Sequence, residues 1–142
     1  MDRYGAADLW ALVVVFVQEQ RVQYFCSSGE AGRDVMGAVF EYLQKHHLSV
    51  RGRVLPDIPK WKLINCSTKT PRQNNGYDCG IFTCMFADRM MQSRNNTLFT
   101  QSDMNSYRRL MLMCLVDKKV PIWTDTDGSK EYLLFEVLNS ST

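Results

Sequence analysis

The stretch that decides the fold runs Pro71-Arg72-Gln73-Asn74-Asn75-Gly76-Tyr77-Asp78-Cys79-Gly80-Ile81-Phe82-Thr83-Cys84. It joins a polar loop to a helix predicted over Tyr77–Met91, so that Cys79 falls in the first turn of this helix. The exposed N–H groups and the positive dipole end of a helix start favour a thiolate and an oxyanion beside it. Gly80 leaves room for a substrate backbone, and Gln73 can offer an amide N–H to the oxyanion. The stretch therefore indicates a cysteine nucleophile with its oxyanion hole.

The elements around this stretch follow from hydrophobic periodicity and turn residues. They are a hairpin over Trp10–Phe25 whose first strand is buried on both faces, an amphipathic helix over Glu30–His47, a third strand over Trp61–Cys66 and a final helix over Ser102–Val116. The order β-β-α-β-α-α indicates an α+β fold. The apolar run Glu131–Leu138 fits either a helix or a strand. We therefore predict one domain over residues 1–118 and a carboxy-terminal extension of uncertain structure over residues 119–142.

Length and charge exclude several classes of protein. A chain of 142 residues can bury a core without disulfides or metals, and a net charge of +2 favours neither nucleic acid nor a membrane as partner. The longest apolar run, Leu9–Val17, is too short to span a bilayer, which takes about 20 residues. Five cysteines without a secretory signal predict reduced thiols inside the cell, and Cys66, Cys84 and Cys114 are expected to be buried apolar residues. No metal or cofactor is predicted.

The decisive stretch resembles the active-site signature of the Ulp1/SENP family of SUMO-specific cysteine proteases, which have a papain-like α+β fold. The resemblance continues through Phe99-Thr100-Gln101 and the helix around Arg108-Arg109. In the other direction it covers the third strand, the Glu30–His47 helix and the hairpin, so that it spans about Leu9 to Val116. It implies a hydrolase that acts on SUMO or a related ubiquitin-like protein and its conjugates, in the nucleus.

The resemblance also implies roles for single residues. Cys79 matches the nucleophile and Gln73 the oxyanion-hole glutamine, whereas Trp10, Gly76 and Gly80 match substrate-binding positions. The family histidine precedes a tryptophan in a His-Trp-x-Leu-Val-Val pattern, and here that position is Leu9. The family aspartate lies in a Tyr-Phe-Asp-Ser pattern, and here that position is Cys26. The spacing of seventeen residues is the one that the family pattern requires, so two of the three triad positions are substituted.

Both substitutions remove acid–base chemistry. Leucine can neither pair with the thiol nor protonate a leaving amine, so we expect an impaired or inactive protease. The two histidines, His46 and His47, fall at the end of a predicted helix and are not expected to replace the lost one. Trp10 fits either the wall of a substrate channel or the core. We also expect the upstream part of the family domain, with its SUMO-binding surface and second tryptophan, to be missing.

Three interpretations remain open from the sequence. The first is a degenerate SUMO protease without useful turnover. The second is a pseudoprotease that binds SUMO or a related modifier without cleaving it, for which the retained Trp10, Gln73, Gly76 and Cys79 speak. The third is a truncated gene model or a pseudogene product with no independent role.

Overall fold

The first unit of the chain begins with a hairpin, formed where two β-prone runs flank a polar turn. The computed structural model describes residues 9–91, 99–126 and 129–136, and side chains up to residue 118. The chain divides into two compact units, residues 1–101 and 102–142. In the first unit, β1 (Leu12–Phe16) pairs antiparallel with β2 (Arg21–Phe25), as the sequence predicts.

A long helix connects the hairpin to the third strand. Helix α1 (Arg33–Arg51) crosses over to β3 (Lys62–Ile64), which lies parallel to β2, so the sheet order is β1-β2-β3. The helix extends past its predicted end at His47, because no helix-breaking residue occurs before Gly52. Gly52 takes a left-handed φ of 64° and donates its N–H to the Leu48 carbonyl, which ends the helix.

The two faces of the sheet pack against different helices. Helix α1 contacts β2 and β3 over a buried cluster of Val22, Tyr24, Cys26 and Met36, which we call the hairpin cluster. Helix α2 (Cys79–Met91) contacts β1, and Phe86 on this helix packs 5.3 Å, centroid to centroid, from Phe25 of β2. These contacts hold α2, the helix that begins at Cys79, against the hairpin. A 3-10 turn at Ile58–Lys60 precedes β3.

Two burial predictions are wrong. All five residues of β1 are half-buried rather than buried, because β1 is an edge strand of this sheet. Cys84 is exposed, because the buried stripe of α2 passes through Cys79, Phe82, Phe86 and Arg89 and leaves Cys84 outside it. Cys66 and Cys114 are half-buried. Within the described residues, no helix has the length and apolar character needed to cross a bilayer.

The second unit consists of a helix and a hairpin. A 3-10 turn at Gln101–Asp103 leads into helix α3 (Met104–Asp117), which buries Met104 and Tyr107 and leaves Arg108 and Arg109 exposed. Strands β4 (Lys119–Thr126) and β5 (Ser129–Glu136) pair antiparallel. The undecided run Glu131–Leu138 is therefore a strand up to Glu136, and its last two residues lie outside the described residues. The predicted division at residue 118 stays a prediction.

Candidate active site

Cys79 is the first residue of α2, two residues later than the predicted helix start. The Phe82 N–H donates to the Asp78 carbonyl at 3.0 Å, which makes Asp78 the residue that opens the helix. The thiol therefore lies in the first turn, where backbone N–H groups have no helical partner and the helix dipole is positive. Cys79 is 6% exposed and is therefore almost entirely buried.

An asparagine sets the later helix start. The Asn75 side-chain oxygen accepts the N–H groups of Tyr77 at 3.2 Å and Asp78 at 3.1 Å, and its amide donates to the Asp78 carboxylate at 2.8 Å. Such an Asx turn satisfies the backbone locally and keeps these residues out of the helix. Asn75 therefore fixes the direction from which the chain enters Cys79.

Gln73 is tied to the hairpin and to its own loop. Its backbone N–H donates to the Ser27 carbonyl at 3.0 Å, and its side-chain oxygen accepts the Ser27 hydroxyl at 2.5 Å. Its amide nitrogen donates to the Asn75 carbonyl at 2.7 Å. Because an amide NH₂ carries two hydrogens, the second can serve an oxyanion. The amide orientation is thus set by groups on both sides.

Apolar side chains surround Leu9 and Cys26 at the end of the hairpin, where the resemblance places the triad histidine and aspartate. Leu9 is half-buried and packs against the hairpin cluster, to which Cys26 belongs. Cys26 has no exposed surface, and its sulfur lies 3.0 Å from the Ser28 hydroxyl. Burial raises the pKa of Tyr24 well above its usual range, and the nearby Cys26 adds to that increase. The structure therefore places Leu9 and Cys26 in the same apolar surroundings.

Two links join the hairpin end to Arg72 and Gln73; residues 73–79 are hereafter called the nucleophile loop. One is the Ser27–Gln73 pair already described. In the other, the Arg72 guanidinium lies over Gly29, whose φ of 88° suits glycine and where a Cβ would collide with Arg72. Cys66 is a second cysteine at the hairpin end, because the Cys26 N–H donates to its sulfur at 3.2 Å. Burial raises the pKa of the Cys66 thiol.

Trp10 lies on the surface beside the start of α2. Its side chain is 69% exposed, which excludes the core alternative. A Cβ built on Gly80 would lie 3.8 Å from Trp10 Cδ1, so Trp10 and Gly80 are neighbours, whereas Gly76 is exposed on the loop. Of these three positions, assigned to substrate binding by resemblance, Trp10 and Gly80 lie together at the start of α2, whereas Gly76 lies on the loop that precedes Cys79.

The two histidines, His46 and His47, lie near the end of α1 and contact residues there. His46 stacks on Tyr42 with centroids 5.7 Å apart, and His47 Nδ1 lies 3.0 Å from the Arg53 carbonyl oxygen. Neither contact involves a residue of the nucleophile loop. Among the described residues, no group of three His, Cys, Asp or Glu side chains is arranged to hold a metal ion.

Four residues of the site escape sequence reasoning: Ser27, Asn75, Asp78 and Gln101. The Asp78 carboxylate accepts hydrogen bonds from Asn75 and, at 2.6 Å, from the Gln101 amide. Gln101 lies 23 residues beyond Asp78, so no local pattern connects the two. A cavity of about 210 Å³ elsewhere on the sheet contains neither Cys79 nor Gln73; its walls include Arg21, Phe25, Lys69 and Met90.

Comparison with known proteins decides the family. The model of the Ulp1 protease family, C-terminal catalytic domain, matches residues 9–115, which is most of the chain. The chain belongs to the Ulp1 protease family. The matched range begins at Leu9 and contains Cys26, Gln73 and Cys79.

Relatives and a solved structure agree with this assignment. The chain is 31% identical over 111 residues to a Sentrin-specific protease of Caenorhabditis elegans, a match that covers 78% of this chain and 16% of the relative. It is 32% identical over 104 residues to Sentrin-specific protease 2 of Mus musculus, covering 72% and 17% of the two chains. The catalytic domain of a Ulp1-like SUMO protease from Chaetomium thermophilum superposes with a TM-score of 0.55 at 20% identity, covering 72% of this chain and 40% of that chain. The predicted papain-like α+β fold of the Ulp1 type is confirmed, and the chain spans about one sixth of the length of these relatives.

Proposed function

We propose that this chain acts in the SUMO system as a Ulp1-type cysteine protease domain whose hydrolytic activity is impaired. Cys79 is the nucleophile and Gln73 the oxyanion donor, whereas Trp10, Gly76 and Gly80 bind the carboxy-terminal end of SUMO or a related ubiquitin-like protein. The family membership, together with relatives named Sentrin-specific protease, supports the substrate class. The bonds that orient Gln73 support its role.

The observation that carries the proposal is the apolar hairpin end. A triad histidine takes the proton of the nucleophile and returns it to the leaving amine. Leu9 offers no proton-accepting atom and packs instead against the hairpin cluster. Cys26 replaces the aspartate, but no histidine remains there for an acidic group to orient.

The expected loss is large. Without a base, an ordinary thiol is only a few per cent thiolate near pH 7. An isopeptide also has a poor leaving group, because a lysine amine must be protonated as it departs. In a well-studied triad enzyme, the loss of one essential member costs on the order of 10⁶ in rate. The N–H groups at the start of α2 can bind an oxyanion but supply no proton to the amine.

The test separates chemistry at the sulfur from turnover. The chain and its Cys79→Ser and Cys84→Ser variants are incubated with a SUMO-conjugated protein and, separately, with SUMO that carries a carboxy-terminal thiol-reactive group. We expect no cleavage above the Cys79→Ser background and an adduct on Cys79 in the Cys84→Ser variant. Cys84 is the matched control because it lies on the same helix but is exposed. Robust cleavage by the unmodified chain would contradict the proposed impairment.

A second function, binding without cleavage, is favoured by the exposed Trp10 beside Gly80. An aromatic face next to a glycine is suited to hold an extended backbone. Titration of labelled SUMO should then give saturable binding that Trp10→Ala abolishes. Tyr42→Ala is the control, because Tyr42 is 66% exposed on α1 and contacts His46. The absence of binding at high micromolar concentration would exclude this function.

Two further proposals concern location and extent. We place the chain in the nucleus, on the resemblance alone, and the protease part in residues 1–118. Imaging of a fluorescent fusion of the full chain tests the first. Limited proteolysis tests the second, since cleavage near residue 118 should leave a stable amino-terminal fragment.

A further inference from the structure

Gln101 lies two residues after Phe99, whose side chain packs on α2, the helix that begins at Cys79. The Phe99 ring is buried, with its centroid 5.6 Å from that of Phe82 and 5.3 Å from that of Phe86, and both partners lie on α2. Aromatic pairs at these distances stabilise beyond the area that they bury. Two residues later, Gln101 is therefore presented to the loop at the start of the same helix.

Both ends of the Gln101 amide bind the nucleophile loop. Its side-chain oxygen accepts the Asn74 backbone N–H at 2.9 Å, and its nitrogen donates to the Asp78 carboxylate at 2.6 Å. Asn74 directly follows Gln73, and Asp78 directly precedes Cys79. One side chain thus connects the two points of the loop next to its two functional residues.

The bond to Asp78 is of the strong kind. Asp78 is 3% exposed, and a buried carboxylate is costly unless donors surround it. A donor to an ionised group forms a shorter bond that is roughly twice as strong as one between neutral groups. Removing the Gln101 amide would therefore take a hydrogen-bond donor from the buried Asp78 carboxylate and weaken the attachment of the loop there.

We infer that Gln101 is a positioning residue, which sets the separation between the Gln73 amide and the Cys79 thiol by bridging Asn74 and Asp78. The inference rests on the proposed function in that Gln73 and Cys79 form the site. Gln101 touches neither of these side chains in the bonds described, and it acts through its two partners. Other bonds remain when it is removed, because Ser27 still holds Gln73 and Asn75 still holds Asp78. The loop should therefore loosen locally while the domain stays folded.

The test reads the loop without any substrate. Hydrogen exchange reports the Asn74 amide, and iodoacetamide alkylation reports Cys79 and Cys84 in the same sample. Gln101→Ala should raise Asn74 exchange about tenfold or more, because a bonded amide becomes open to solvent. It should raise Cys79 alkylation about threefold or more, because the buried sulfur opens, and leave Cys84 unchanged. Gln44→Ala is the matched control, since Gln44 donates only to the Phe40 carbonyl within α1.

An exchange of partners separates positioning from general stability. Gln101→Glu alone sets two carboxylates against each other and should open the loop further. Adding Asp78→Asn removes the like-charge repulsion, while the introduced carboxylate still accepts the Asn74 N–H. Both readouts should then return part of the way toward the original chain, because Gln101 and Asn75 donate to the same Asp78 oxygen and an amide there cannot serve both. The inference is overturned if the double variant stays as open as Gln101→Glu. It is also overturned if Gln101→Ala changes Cys79 and Cys84 equally or leaves Cys79 unchanged. Failure of the SUMO reactions would count against the proposed function and would leave these readouts unaffected.

Discussion

The nucleophile loop and the hairpin end meet at the Ser27–Gln73 pair, yet they are built from different contacts. In the loop, Gln73, Asn75 and Asp78 are joined by hydrogen bonds to one another and to Ser27 and Gln101. At the hairpin end, Cys26 belongs to the apolar hairpin cluster and Leu9 packs against it. Acyl chemistry needs a nucleophile and an oxyanion donor, whereas amide cleavage also needs a group that moves protons. On the proposed function, Cys79 and Gln73 supply the first set, whereas Leu9 and Cys26 stand where the second set is expected.

The largest expected effect is the difference in reaction rate between a substrate with a thiolate leaving group and one with an amine leaving group. A SUMO carboxy-terminal thioester should acylate Cys79, because a thiolate departs without a proton donor. An isopeptide-linked conjugate should react slower by about 10⁴-fold, the upper end of what general acid–base catalysis contributes. Intact mass spectrometry of the Cys84→Ser variant and of Cys79→Ser measures the adduct. Equal rates for the two substrates would show that a proton donor is present after all.

The next effect compares the stabilities of the two regions. Asn75→Ala removes three hydrogen bonds around Asp78 and should cost about 1.5–3 kcal/mol of unfolding free energy. Leu9→Ala removes a half-buried side chain and should cost about 1–2 kcal/mol. Urea unfolding measures both values. If Leu9→Ala is the more costly change, the loop is less rigidly bonded than its contacts imply.

The smallest expected effect is the change in the free energy of unfolding with pH that comes from the Cys66 thiol. Because burial raises the pKa of the Cys66 thiol, the folded state favours the neutral form. Its contribution to stability is therefore complete below the ordinary thiol value of about 8.5 and is lost as the pH rises beyond it. Urea unfolding between neutral and mildly alkaline pH should show a decline that Cys66→Ala reduces. The exposed Cys84→Ala serves as control, and an identical decline in both variants would contradict this origin.

Sequence reasoning reaches the hairpin and the placement of Cys79 at a helix start, because both depend on local periodicity and turn residues. It misses the two-residue delay of α2, since that depends on which amides the Asn75 side chain accepts. It also misses the exposure of Cys84, because an apolar helix does not reveal which side faces the sheet. The bridge from Gln101 to Asp78 depends on how Phe99 packs, and such tertiary contacts leave no periodic signal.

The central claim is that Leu9 and Cys26 occupy the places of the proton-moving groups. The most direct measurement is the rate of Cys79 alkylation by iodoacetamide at pH 6.5, in the original chain and in the Leu9→His/Cys26→Asp double variant. An imidazolium beside a thiol stabilises the thiolate, which is the form that iodoacetamide alkylates, so we predict a gain of about tenfold or more in the double variant. Each single change should give less, and Cys84 should be unaffected. Identical Cys79 rates in the original chain and in the folded double variant would contradict the account, because the hairpin positions would then not face the nucleophile.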